Sequence, residues 1–280
     1  MSRPSTKIIV LWAVYICSAV YIQAVPVHIA VPALGEGMQR LKQWTPLVVY
    51  LEQECDLDIE LIVTRDNRII REGLESKNYD LAFIDPFWFS SWRETLPLVP
   101  LVQSEVIGKS ERTIMLVVHR DSIFRTLKDL ENRRVAFTLE NESAAGFYIP
   151  LAMMISRGIN PFEYFKESVF AETFVSILKS VAFGKLDAGF ITSNVYNNDK
   201  NKHLTGVLRV IASSDPLPQW VLVSRKDLDL GKISKLENTL SGLSSTEEGR
   251  NLLKETGFSG FIPADAERLS VMEKYNAASK

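Results

Sequence analysis

The side chains best equipped for chemistry are scattered along this chain, and none stands at a catalytic spacing. His28, His119 and His203 lie far apart with no pairing such as H-E-x-x-H, so no metal site is expected from them. His28 and His119 fall in or at the end of apolar strands, where a hydrogen-bonded structural histidine is the ordinary reading. Cys55 sits in Leu51-Glu52-Gln53-Glu54-Cys55-Asp56, and its acidic neighbours disfavour the thiolate a nucleophile needs. Gly35-Glu36-Gly37 lacks the third glycine of a dinucleotide fingerprint, and no G-x-S-x-G elbow occurs. No enzyme activity, cofactor or metal is therefore expected. What does recur is acid beside aromatic. Asp85 precedes Phe87, Trp88 and Trp92, Glu140 and Glu142 precede Phe147 and Tyr148, and Trp220 follows Asp215-Pro216-Leu217-Pro218. Gathered in a cleft, such groups suit a neutral or cationic solute held by ring stacking or cation–π contact. Plain core packing is the competing reading for each ring.

The elements that would position these groups alternate between strand and helix. Val27–Val31, Ile59–Val63 and Leu81–Ile84 read as strands, separated by helical patterns from about Met38 to Glu54 and from Asn67 to Ser76. The four-residue run before Asp85-Pro86 is wholly apolar, as a buried parallel strand is. A second unit follows, with strands over Thr113–Val118, Arg134–Thr138, Ala188–Ile191 and Val207–Ala212. Its helices are expected over Ala144–Arg157, closed by Gly158, and over Phe174–Phe183. Trp220–Ser224 then runs back, and two helices near 236–243 and 246–256 end the chain. The β-α-β-α-β order implies parallel strands with right-handed crossovers. No Pro/Gly/Ser linker divides the units, so the boundary is expected to be a hinge made of strands. Two such lobes form a cleft at strand carboxyl ends and helix amino ends.

Composition sets outer limits. A chain 46% hydrophobic and 24% charged is globular, and a net charge of −2 offers no basic excess for nucleic acid. Arg3 and Lys7 precede an apolar run from Ile8 to about Tyr21, and no acid occurs before Glu36. That run is shorter than the roughly 20 residues a membrane span needs, and it fits an export signal ending near Ala24. An uncleaved anchor is the alternative. Cleavage there would leave Cys55 as the one cysteine, and hence no internal disulfide.

Several stretches, in order, resemble the phosphate/phosphite/phosphonate-type periplasmic binding proteins of ABC transporters. Val31-Pro32 with Gln43–Glu52 looks like that family's opening strand and helix. Tyr79–Pro86 resembles its D-x-A-F-x-G-P segment, and Leu127–Leu130 through Arg134–Phe137 its L-x-D-L-x-G-K-R-V-A-F. Gly184–Gly189 matches G-K-V-D-A-G, and Gly257–Asp265 its carboxyl-terminal signature. The resemblance implies an α/β fold of the two-lobed type II periplasmic binding protein kind, each lobe a mostly parallel sheet flanked by helices. It divides the chain into a signal at 1–24, lobe one at 25–110 completed by 225–280, and lobe two at 113–220. It further implies a monomer in the periplasm that closes on a small solute and passes it to a membrane permease.

The resemblance also locates a site, and there the chain departs from the pattern. The family's S-T-S-G-Y turn reads Ser143-Ala144-Ala145-Gly146-Phe147, its histidine falls on Phe174, and its phenol falls on Phe89. Only Asp187 is kept. The ligand-binding residues expected are Asp85, Trp88, Phe89, Thr113, Ser143, Ala144, Phe147, Phe174, Asp187 and Trp220, with Trp88 and Trp220 the rings most expected to face ligand. Lost hydroxyls and the lost imidazole weigh against a phosphate or phosphonate dianion, which needs many donors when desolvated. An oxyanion held mainly by backbone amides is the alternative to a neutral or cationic solute. A ligand sensor acting on a membrane histidine kinase is the alternative to transport, and an enzyme on the same fold a third reading.

Overall fold

Apolar strands followed by one-sided helices are what this sequence spells, and two α/β lobes are what they build. The structure is a computed structural model that describes residues 26–33, 37–138 and 143–278. The expected signal segment, Glu140 and Glu142 lie outside the described residues.

The first lobe opens with β1 (Val27–Pro32), α1 (Gly37–Cys55), β2 (Ile59–Thr64), α2 (Asn67–Glu75), β3 (Leu81–Ile84), α3 (Pro86–Trp92) and β4 (Leu98–Glu105). The chain then passes through β5 (Glu111–Arg112) into β6 (Ile114–His119), β7 (Arg134–Thr138), α4 (Tyr148–Ile155), α5 (Pro161–Tyr164), β8 (Glu167–Ala171), α6 (Phe174–Ala182), β9 (Ala188–Thr192), α7 (Ser193–Tyr196), α8 (Lys202–Thr205) and β10 (Leu208–Ser213). It returns through β11 (Leu217–Pro218) to β12 (Val221–Arg225), α9 (Leu230–Gly242), α10 (Glu247–Thr256), β13 (Gly260–Pro263), α11 (Ala266–Leu269) and α12 (Glu273–Ala278).

The first sheet has the order β13-β4-β12-β3-β1-β2, the second β10-β6-β9-β7-β8. In each, the strands joined by crossover helices pair in parallel, β2 and β3 with β1, and β8 and β9 with β7. Strands flanking the two crossings pair antiparallel, β12 with β3 and β4, and β6 with β9 and β10. Between the lobes lies a two-stranded ribbon in which Arg112 is opposite Leu217 and Glu111 opposite Pro218. Both passages of the chain thus run side by side through one short ribbon, the arrangement of a hinge.

Local chemistry fixes the helix ends. Asp66 accepts the Arg68 N–H at 2.8 Å to start α2, and Thr173 accepts the Ser176 N–H at 3.1 Å to start α6. Gly257, at φ 84°, ends α10 in the left-handed region that glycine adopts without strain. The helix expected over 144–157 is interrupted. A 3₁₀ turn at Ala144–Gly146 precedes α4, with Phe147 at φ −132°, ψ −70° between them. The break places Pro150 third in α4, within the first turn, where its missing N–H costs nothing.

Each sheet carries core on both faces. Leu47, Leu81, Leu236 and Leu253 pack on one side of the first sheet, and Ile70, Ile84, Val221 and Leu269 on the other. Around the second sheet the corresponding sets include Leu116, Phe137, Ile149 and Met154, and Val117, Ile177 and Ile191. Each such side chain contributes about 1.5–3 kcal/mol by leaving water. The carboxyl-terminal stretch rejoins the first sheet through β12 and β13, but α12 packs on both α3 and α4. Met272 and Tyr275 thereby enter the second lobe's core together with Phe87 of α3.

Candidate functional site

The carboxyl ends of β7 and β9 in the second lobe face a cavity, and those of β1 and β3 in the first lobe face another. The second-lobe chamber, of about 240 Å³, is lined by Thr138 and Thr192 from the strand ends, Ser143 and Ala145 from the 3₁₀ turn, and Glu172, Thr173 and Phe174 at the start of α6. Arg112 of the ribbon and Trp220 close it from the first-lobe side. The first-lobe chamber, of about 190 Å³, is lined by Val31 and Pro32, Arg40 and Trp44 of α1, Phe83 of β3, and Thr256–Phe258. Asn194 and Trp220 line both, so the two chambers are halves of one cleft.

Between the halves stands an amide pair. Asn194 Nδ2 donates to Gln219 Oε1 and Gln219 Nε2 to Asn194 Oδ1, each at 3.0 Å, and Gln219 Nε2 also reaches the Glu111 carbonyl at 3.2 Å. Gln219 is fully buried. This pair ties α7 of the second lobe to the segment between β11 and β12.

The second-lobe chamber is rich in donors. Arg112, buried to 3% exposure, pairs through Nη2 with Asp85 Oδ2 at 2.5 Å, while its Nε has no hydrogen-bond partner among the described residues. Thr138 is equally buried, and its Oγ1 also lacks a partner among them. Ser143 Oγ accepts the Gly146 N–H at 3.2 Å, so its own proton remains available to donate. The side chain of Thr138 lies against Gly146 so closely that a Cβ there would come within 1.8 Å of Oγ1. Glycine at this turn is what lets the hydroxyl of β7 reach its position. Partnerless buried donors beside the 3₁₀ turn and the amino end of α6 favour negative charge, with Glu172 of the same wall acting against it.

The expected site residues divide accordingly. Ser143, Phe174 and Trp220 come together around the second-lobe chamber. Asp85 is 1% exposed, bound by Arg112 and by the Phe87 N–H at 3.0 Å, where it caps α3. Trp88 lines neither chamber. It stacks on Trp92 at 5.7 Å between centroids and meets Tyr148 edge-on at 5.3 Å, across the lobes. Phe89, Ala144 and Phe147 are core. Thr113 exchanges backbone hydrogen bonds with Ser193, its N–H to Oγ at 3.0 Å and its carbonyl from the Ser193 N–H at 2.8 Å. Asp187 accepts the Arg134 N–H at 2.8 Å where β7 and β9 begin, and so lies at the opposite end of the sheet from the chamber.

The acidic cleft expected from sequence rested on Asp85, Glu140 and Glu142. Asp85 is neutralised by Arg112, and the other two lie outside the described residues. Arg112, Thr138, Thr173, Thr192 and Asn194 were not foreseen. The signal available for the two threonines was their place as the last residue of strands with buried apolar interiors, Arg134–Thr138 and Ala188–Thr192. No group of three or more His, Cys, Asp or Glu side chains that could hold a metal ion occurs among the described residues.

A family model for the periplasmic phosphonate substrate-binding protein of ABC transporters matches residues 33–269. A phosphate-import protein PhnD from Mycolicibacterium smegmatis is 25% identical over 258 residues, which cover 86% of this chain and 76% of the relative. Among solved structures, PhnD1 from Prochlorococcus marinus in complex with methylphosphonate is similar at a TM-score of 0.75 and 18% identity, covering 90% of this chain and 97% of that one. A Xanthomonas citri protein bound to ATP is similar at a TM-score of 0.76 and 17% identity, again covering 90% and 97%.

Proposed function

This chain belongs to the family of phosphonate periplasmic substrate-binding proteins of ABC transporters, and from that premise we propose that it captures a small oxyanion in the chamber of Arg112, Thr138 and Ser143. The fold is that of a type II periplasmic binding protein, and the role is that of a substrate receptor for a membrane permease. In this reading the residues before 25 export the chain, the mature protein acts as a monomer in the periplasm, and the lobes close about the ribbon of β5 and β11. Ligand favours the closed state because it touches both lobes only there.

One observation carries the choice of an oxyanion. Arg112 and Thr138 line the same chamber, and their Nε and Oγ1 have no partner among the described residues; a buried donor left unpaired costs about 1–3 kcal/mol. An oxyanion satisfies both. The methylphosphonate of the Prochlorococcus marinus neighbour and the phosphate in the name of the Mycolicibacterium smegmatis relative are of this class. With Asp85 holding one edge of Arg112, the chamber has less positive charge to offer than a free guanidinium would supply, which favours a monoanion over a dianion.

Thermal shift with Thr138→Val tests the reading. Valine keeps the shape and removes only the partnerless hydroxyl, so the empty variant melts at or above the wild-type temperature. Saturation to about 100 times Kd stabilises the wild type by about 2.7 kcal/mol, or roughly 5–10 °C. The variant is expected to lose most of that shift with methylphosphonate. An undiminished shift would refute the assignment.

A further inference from the structure

The first-lobe chamber opens onto the same cleft, with Arg40 of α1 among its lining residues. Much of the rest of its wall is aromatic. Phe83 lies at the centre, with Trp44 at 5.1 Å between centroids, Phe258 at 5.2 Å edge-on and Trp220 stacked at 5.7 Å with 21° between planes. Trp220 faces the oxyanion chamber as well, so a molecule seated on Arg112 and Thr138 has this ring as its next neighbour. The volume of about 190 Å³ exceeds the roughly 150 Å³ cavity known to admit a benzene ring. Taken together the chambers reach the range of about 300–1,000 Å³ usual for small-molecule sites, well beyond what an inorganic anion or a methylated one fills.

A second observation narrows the chemistry. Trp44 is 6% exposed and its Nε1–H has no hydrogen-bond partner among the described residues. A buried indole N–H ordinarily finds an acceptor. The wall also carries Arg40, Asn194 and Gln219, and among its rings this donor is the group that a polar ring atom of the solute would satisfy once the lobes close on it.

We infer that the solute is an organic oxyanion carried on a planar, acceptor-bearing ring, with its anionic group in the second-lobe chamber and its ring between Trp44, Phe258 and Trp220 in the first. This rests on the oxyanion reading above and adds the class of the organic part. It also gives the closing motion its selectivity, because the two ends of the solute belong to different lobes.

Quenching of intrinsic tryptophan fluorescence by three probes, methylphosphonate, phenylphosphonate and 3-pyridylphosphonate, tests the inference on the full chain. Both aryl compounds are expected to bind about ten- to a hundredfold more tightly than methylphosphonate, the gain for burying one ring. The pyridyl compound is expected to exceed the phenyl one. Phe258→Leu should collapse the aryl-to-methyl ratio towards one, and Trp44→Phe should erase the pyridyl-to-phenyl difference. The second variant keeps a ring in the wall and serves should the first misfold. Aryl affinities equal to or below that of methylphosphonate would overturn the inference while leaving the oxyanion reading intact. Equal pyridyl and phenyl affinities would overturn the acceptor, and no binding by any of the three would overturn both readings.

Discussion

Replacing Asp85 by asparagine separates the structural role of this carboxylate from any contact with ligand. Asp85 and Arg112 side chains are 1% and 2% exposed and meet at 2.5 Å. Removing one member of a buried ion pair costs about 3–5 kcal/mol, because the other charge is left uncompensated. Asparagine still caps a helix well, so the bond to the Phe87 N–H survives and the loss falls on the ion pair. At about 2–4 °C per kcal/mol for a chain of this size, the melting temperature should drop by roughly 6–20 °C. The consequence for binding has the opposite sign. An oxyanion in the chamber then becomes the counter-charge that Asp85 supplied, so the ligand-induced rise in melting temperature should be larger in Asp85→Asn than in the wild type. Differential scanning fluorimetry with and without saturating methylphosphonate reads both quantities. A variant as stable as the wild type would refute the energetic argument, and an equal or smaller ligand-induced rise would refute the placing of Arg112 against the solute.

Other substitutions probe separate parts of the account. Gly146→Ala drives a Cβ to 1.8 Å from Thr138 Oγ1, and should both destabilise by about 1–3 kcal/mol and weaken oxyanion binding as Thr138 is pushed aside. Gly249→Ala is the control, since its Cβ meets the Leu243 carbonyl at 2.0 Å, away from the cleft, and should cost stability while titrations of ligand stay unchanged. Asp187→Asn retains an acceptor for the Arg134 N–H and sits at the far end of its sheet, so calorimetric affinity should match the wild type. The backbone N–H groups of Arg125 and then Thr126 hold the Asp129 carboxyl below its ordinary value. The stability it contributes is present above the unfolded-state value and is lost as pH falls through the folded one, so Asp129→Ala should flatten the acid limb of a melting-temperature profile below about pH 4.

Much of the lobe architecture was legible because its strands are apolar runs bounded by helical periodicity. Leu81–Ile84 and Arg134–Thr138 stand out for that reason. Strand β4 did not. Pro100 interrupts its pattern, and the pairing with β12 shifts register between Leu222 and Val223, beside that residue; proline in a strand hides the alternation that would reveal it. The break at Phe147 did carry a signal, since a helix running unbroken from Ala144 would hold Pro150 in its interior, but the apolar run of Ala144–Ile155 masked it. Within the site, motif resemblance led to Ser143 and Phe174, and a tryptophan beside the Asp215–Pro218 crossing led to Trp220. Arg112 could not be found that way. Its role comes from meeting Asp85, 27 residues earlier, and from lying in a two-residue strand too short to show periodicity. For Trp88 and Trp220 the sequence offered the same signal, a tryptophan just beyond a strand or crossing. Packing separated them, since α3 turns Trp88 towards Trp92 and Tyr148, whereas Trp220 stays at the mouth of both chambers.

Isothermal titration of the purified protein with methylphosphonate tests the central claim most directly. The account predicts saturable binding at one solute per chain, as a single interlobe cleft requires. Absence of saturable heat with methylphosphonate, alongside saturable binding of a cationic solute, would contradict it.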